Sequence, residues 1–121
     1  MPTRHVVSII DDEVTVRRGT SSLLRSLGFL VKTYVSAEEF LNSGDIESCA
    51  CVVSDVHMPG MSGIDLYEKL RARNEPLPFI FITALSEQTV RQRVGDGVHI
   101  LQKPFQADRL AACIREAIAR T

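Results

Sequence analysis

The chain has 121 residues, 45% of them hydrophobic and 24% charged, with a formal net charge of −1. That mix suits one globular domain able to bury a core without staples, and its charge balance excludes a bulk pull toward nucleic acid or an anionic membrane. No run reaches the ~18–20 apolar residues of a membrane helix, and the amino-terminal "MPTRHVVSIIDDE" turns acidic too early for a signal peptide, so a cytoplasmic protein is expected.

In chain order, strand-like and helix-like patterns alternate. "HVVSII" (5–10) is a β-branched apolar run that halts at Asp11-Asp12. From Val14 to Leu27, Val16, Leu23, Leu24 and Leu27 fall at helical spacings, and Gly28 closes the helix as a C-cap. "FLVKTY" (29–34) alternates like a strand. Ser36 heads "SAEEFL" with Glu39 three residues on, matching a capping box. "CVVSD" (51–55) predicts a third strand, then "SGIDLYEKLRAR" (62–73) a helix broken by Pro76 and Pro78. "FIFIT" (79–83) is a continuously apolar strand, "SEQTVRQRV" (86–94) a polar helix with a partial capping match from Ser86 to Thr89, and "VHIL" (98–101) a fifth strand. "QADRLAACIREAIAR" (106–120) places Leu110, Ala111, Ile114 and Ile118 on an amphipathic helix. Cys49, Cys51 and Cys113 are odd in number and lack C-x-x-C spacing, and are read as free thiols without a metal or redox role.

This βαβαβαβαβα order, with strands so apolar, predicts an α/β fold: a parallel sheet covered on both faces. Right-handed crossovers make a doubly wound sheet the leading topology. Residues 1–121 contain no repeat, low-complexity segment or linker, and read as one domain.

The polar residues gather at the strand exits. Asp11-Asp12 ends the first strand, Asp55 the third and Thr83 the fourth, and Lys103-Pro104 follows the fifth. In an open parallel sheet the carboxyl edge is where ligands bind. Two carboxylates about 4 Å apart repel by roughly 4 kcal/mol at an effective dielectric near 20. One ammonium offsets part of this, and an oxygen-only cluster suits Mg²⁺ for the rest. Such a cup, with a lysine and a threonine hydroxyl, fits a phosphoryl group. Asp55 stands alone before the Met-Pro-Gly break and is the candidate nucleophile, forming an aspartyl phosphate. The adjacent Asp11 and Asp12 are better placed to hold metal and its waters.

Together "IIDDE" (9–13), "VVSDVHMPGMSG" (52–63), "FIFITA" (79–84) and "LQKPF" (101–105) resemble the receiver domain of two-component response regulators, the CheY-like family. "VSIIDDE", "VRRGTSSLLRSLGF" and "TYVSAEEFL" lean toward its FixJ-like group. The resemblance implies a flavodoxin-like fold with five strands in the order 2-1-3-4-5 and five helices. It implies phosphorylation of Asp55 by a sensor histidine kinase, with Mg²⁺ (or Mn²⁺) held directly by Asp12 and Asp55, by Asp11 through water, and by the backbone carbonyl of His57. Lys103 would pair with Asp55 and then the phosphoryl oxygens, Thr83 would swing inward as the switch, and the peptide before Pro104 would be cis. A C-terminal helix-turn-helix output domain controlling transcription, absent from these residues, and a homodimer formed on phosphorylation belong to the same expectation. The chain would be a signalling switch with slow autodephosphorylation, not a turnover enzyme.

Two departures stand out. Ile100 occupies the switch position where receivers usually carry an aromatic ring, and the segment from Thr83 to Lys103 is about two residues shorter than usual, within the fourth-helix region. They motivate a rival reading, a degenerate receiver that only binds partners. A phosphatase of the haloacid dehalogenase type is a weaker rival, since its motif needs an aspartate where this chain has His57. Beside these stand plainer roles: Asp11-Asp12 as a helix cap, and His57 as an exposed loop ring rather than a cover over the phosphoryl group.

Overall fold

A computed structural model describes residues 5–74 and 77–119. Its elements are β1 (Val6–Ile10), α1 (Val14–Ser26), β2 (Leu30–Tyr34), α2 (Ala37–Asn42), β3 (Cys49–Asp55), α3 (Gly63–Ala72), β4 (Phe79–Thr83), α4 (Glu87–Val94), β5 (His99–Gln102) and α5 (Ala107–Ala119). All strand pairs are parallel, in the order β2-β1-β3-β4-β5. The expected doubly wound sheet is therefore present. The boundaries moved slightly: β3 starts two residues earlier than its apolar run, opposite a register shift between Val6 and Val7. β5 slides to 99–102, and His5 lies outside β1. The expected Pro76 break and the last residue of the fifth helix, Arg120, lie outside the described residues.

Alternation along the strands builds two cores. Ile10, Val52, Phe79, Phe81 and Ile100 face one side, under Phe40 of α2, Leu66 and Leu70 of α3, and Val90 and Val94 of α4. Val7, Ile9, Cys51, Val53, Ile80, Ile82 and Leu101 face the other, against Leu24 of α1 and Leu110 and Ile114 of α5. Burying one such aliphatic or aromatic side chain stabilises the fold by about 1.5–3 kcal/mol, so the two-sided pattern holds β3 and β4 at the centre.

Local chemistry sets the helix ends. Gly28, at φ +95°, ends α1 in a Schellman turn: its N–H donates to the Arg25 carbonyl and that of Phe29 to Leu24. Ser36 accepts the Glu39 N–H at 3.0 Å, while the Glu39 carboxylate reaches the Val35 N–H instead of closing a box on Ser36. The complete capping box is at α3, between Ser62 and Asp65. Neither Asp11 nor Asp12 is the N-cap of α1; Glu13 holds that position without a side-chain bond.

Candidate functional site

Register brings the strand exits level. Ile10 pairs with Ser54, so Asp11 and Asp55 each lie one residue past a paired position on neighbouring strands. Asp55 pairs with Ile82, and Thr83 with Gln102, the residue before Lys103. Paired strands run about 4.8 Å apart, so residues ninety positions apart in sequence converge on one rim. Asp11, Asp12 and Asp55 each present a carboxylate oxygen within 4.8 Å of the others. The Lys103 ammonium donates to Asp55 Oδ2 at 3.1 Å. The Lys103–Pro104 peptide is cis, and the Lys103 N–H donates to the Thr83 carbonyl at 2.7 Å.

The acids differ in setting. Asp55 is 7% exposed and Asp11 4%, whereas Asp12 lies open to solvent. Asp11 Oδ1 accepts the Glu13 N–H at 2.9 Å, and its carbonyl accepts from Arg17 at 2.7 Å. Burial raises the Asp11 carboxyl above its ordinary 3.8; the Glu13 N–H and Lys103 oppose this, and the charges of Asp55 and Asp12 add to it. Burial acts to lower the Lys103 ammonium, but the hydrogen bond and charge of Asp55, with the charges of Asp11 and Glu13, outweigh it and raise it. Three acids facing one ammonium leave negative charge uncompensated, and every acidic donor is a hard oxygen. The residues present therefore fit a divalent cation such as Mg²⁺.

The remaining expected residues have defined places. The His57 N–H donates to Asp55 Oδ1 at 3.1 Å, and its ring is on an exposed loop. Thr83 is fully buried, and its hydroxyl accepts the Leu85 N–H at 2.9 Å. Among the described residues no hydrogen bond joins Thr83 to Asp55. Ile100 is buried in the core shared with α4, beside its paired strand residue Phe81.

Three contributors escaped the sequence reading. Arg17 braces the Asp11 backbone. Gly63 begins α3 directly against the Asp55 backbone. Glu38 reaches from α2 to the loop after β3. The "PGMSG" string held a signal for Gly63, a glycine at a helix start where a side chain would be expected. Nothing local marked the other two.

The response regulator receiver domain family matches residues 7–115. Response regulator protein TodT of Pseudomonas putida is 36% identical over 115 residues, covering 93% of this chain and 51% of that protein. Transcriptional regulatory protein FixJ of Bradyrhizobium diazoefficiens is 37% identical over 121 residues, covering 98% of this chain and 58% of that protein. The chain thus spans about half the length of these curated relatives. The solved structure of the response regulator StyR superposes with a TM-score of 0.87 at 39% identity, covering 98% of this chain and 61% of that one. No described helix is long and apolar enough to cross a membrane. With this sheet order, this acidic rim and these relatives, the chain belongs to the receiver domain family of two-component response regulators.

Proposed function

We propose that Asp55 is the phosphoacceptor of this receiver and takes its phosphoryl group from the phosphohistidine of a sensor kinase. The observation that carries the reading is the Lys103–Asp55 contact of 3.1 Å at the mouth of the acidic triad. An Asp55 carboxylate oxygen attacks phosphorus; the new O–P bond forms as the P–N bond to the kinase imidazole breaks, and the nitrogen keeps the bonding pair. Lys103 is positioned to stay with the phosphoryl oxygens as their charge grows. Asp12 and Asp55, with the His57 carbonyl, would hold Mg²⁺ (or Mn²⁺) directly, and Asp11 through water. The bound cation supplies charge neutralisation of the phosphoryl oxygens.

Once Asp55 is modified, the Thr83 hydroxyl leaves Leu85 for the phosphoryl oxygens, shifting the β4–α4 loop between two states. Ile100, held inside the core, gives the switch no aromatic rotamer, so movement is confined to that loop and α4. The output is transcriptional, through a DNA-binding domain in the full-length cytoplasmic protein and a homodimer formed on phosphorylation. The match to FixJ, named a transcriptional regulatory protein, supports this. The chain acts as a switch whose only chemistry is its own phosphorylation and slow hydrolysis.

The test is incubation with acetyl phosphate and Mg²⁺. One phosphoryl group should appear by intact mass, and beryllofluoride with Mg²⁺ should raise the melting temperature. Neither effect should survive Asp55→Asn. A parent that responds to neither reagent overturns the reading.

A further inference from the structure

We propose that Glu38 is a positioning residue for the phosphoacceptor loop, holding the His57 carbonyl ready for the divalent cation. The proposal rests on the function above and extends it to a helix that carries none of the site residues.

The first turn of α2 carries two consecutive glutamates that do different work. Glu39 serves its own helix: its N–H goes to Ser36 Oγ and its carboxylate accepts from the Val35 N–H at 3.2 Å. Glu38 turns away from α2, and its Oε2 accepts the Met61 N–H at 3.1 Å, 23 residues along the chain. Gly60 makes the approach feasible. It sits at φ +77°, and a methyl group there would stand 2.6 Å from the Glu38 oxygen.

The loop between β3 and α3 is tied at both ends. At its start the His57 N–H donates to Asp55 and the Val56 carbonyl accepts from Gly63; at its end the Ser62 N–H meets Asp65. In between, Pro59 has no N–H to give, and Met58 anchors the stretch only by burying its side chain. Among the described residues, Glu38 is the one side chain that hydrogen-bonds residues 58–61. Without it, the segment bearing His57 has more conformations to lose when its carbonyl meets the cation, and affinity falls accordingly. Glutamine keeps an accepting oxygen in the same place, and alanine does not.

The experiment compares the parent 121-residue chain with Glu38→Ala and Glu38→Gln. Met61 amide exchange is measured in metal-free buffer, and Mg²⁺ is titrated by backbone amide resonances. In Glu38→Ala, Met61 should exchange faster and the Kd for Mg²⁺ should rise about three- to tenfold, the scale of one lost hydrogen bond. Glu38→Gln should stay close to the parent in both. The proposal is overturned if Glu38→Ala keeps the parent's Met61 exchange or Mg²⁺ affinity, or if Glu38→Gln fails as badly as Glu38→Ala, which would make charge rather than position the cause. A parent that takes up no Mg²⁺ sinks the function itself. That outcome is distinct from a parent and an alanine variant that bind equally well.

Discussion

Gly63 lies so close to the Asp55 carbonyl that a methyl group in place of its hydrogen would collide with that oxygen and come within 2.8 Å of Ser54 Oγ. The Ser54 hydroxyl already donates to the same carbonyl at 2.9 Å, and the Gly63 N–H donates to Val56. The start of α3 is therefore seated on the backbone of Asp55. Gly63→Ala must push the helix off the strand end, and overpacking of this kind costs about 1–3 kcal/mol. Gly19, inside α1, is the contrast, since a methyl there meets nothing within 4 Å. Gly19→Ala should instead stabilise by about 0.5–1 kcal/mol. Urea unfolding of the two variants should move in opposite directions.

Asp55→Asn should raise the melting temperature of the metal-free chain by a few degrees. It removes two like-charge contacts within the triad, and its single amide oxygen keeps one of the two bonds the carboxylate accepts, from Lys103 or from the His57 N–H, which limits the gain. A net gain of about 1 kcal/mol corresponds to roughly 3–6 °C in a domain of this size. Saturating Mg²⁺ should then lift the parent more than the variant. A fall of several degrees in metal-free buffer would mean that the acids do not repel one another as their spacing requires.

Acidity should tune both stability and metal affinity through Asp11. Its folded-state pKa lies above the unfolded value of 3.8, burial being the main cause. The folded state therefore prefers the protonated form. That contribution to stability is complete below pH 3.8 and is lost as pH rises through the raised value. Metal-free urea unfolding from pH 4 to 7 should show the parent losing stability relative to Asp11→Asn. On the proposed function, Mg²⁺ affinity should climb over the same range as the Asp11 carboxylate forms. Identical pH profiles for the two proteins would remove Asp11 from the site.

Thiol chemistry should respect burial. Cys51 is fully buried and Cys49 nearly so, whereas Cys113 is only partly buried, and all three are free. Burial raises each thiol, leaving little thiolate at neutral pH. Under native conditions an aromatic disulfide reagent should modify Cys113 first. Cys49 and Cys51 should react only as fast as the chain opens, and all three should react in urea.

Fold class and the main site residues were legible because their signals are local. An apolar run that ends on a charge or a hydroxyl can be read from five or six neighbours, and four such exits in order suffice to predict a parallel sheet with a polar rim. The same locality explains the small errors. Helix limits came within a residue because Ser62, Ser86 and Gly28 act on adjacent backbone. The start of β3 was missed because pairing with β1 across a register shift, not the Cys49-Ala50 pair itself, makes that stretch a strand.

What the chain declares by itself is which polar residues mark the strand exits: Asp11, Asp12, Asp55, Thr83 and Lys103 each interrupt or follow an apolar pattern that would otherwise continue. Tertiary structure alone decided how they meet. Strand register put Asp11 level with Asp55, and the Lys103 ammonium reached its carboxylate across 48 residues. It also decided that Ile100 is core, that Gly63 must lack a side chain, and that Glu38 bonds a loop 23 residues away in sequence. These depend on distances between segments that no short stretch encodes, because hydrogen bonds and steric contacts act over a few ångströms of space whatever the separation in sequence.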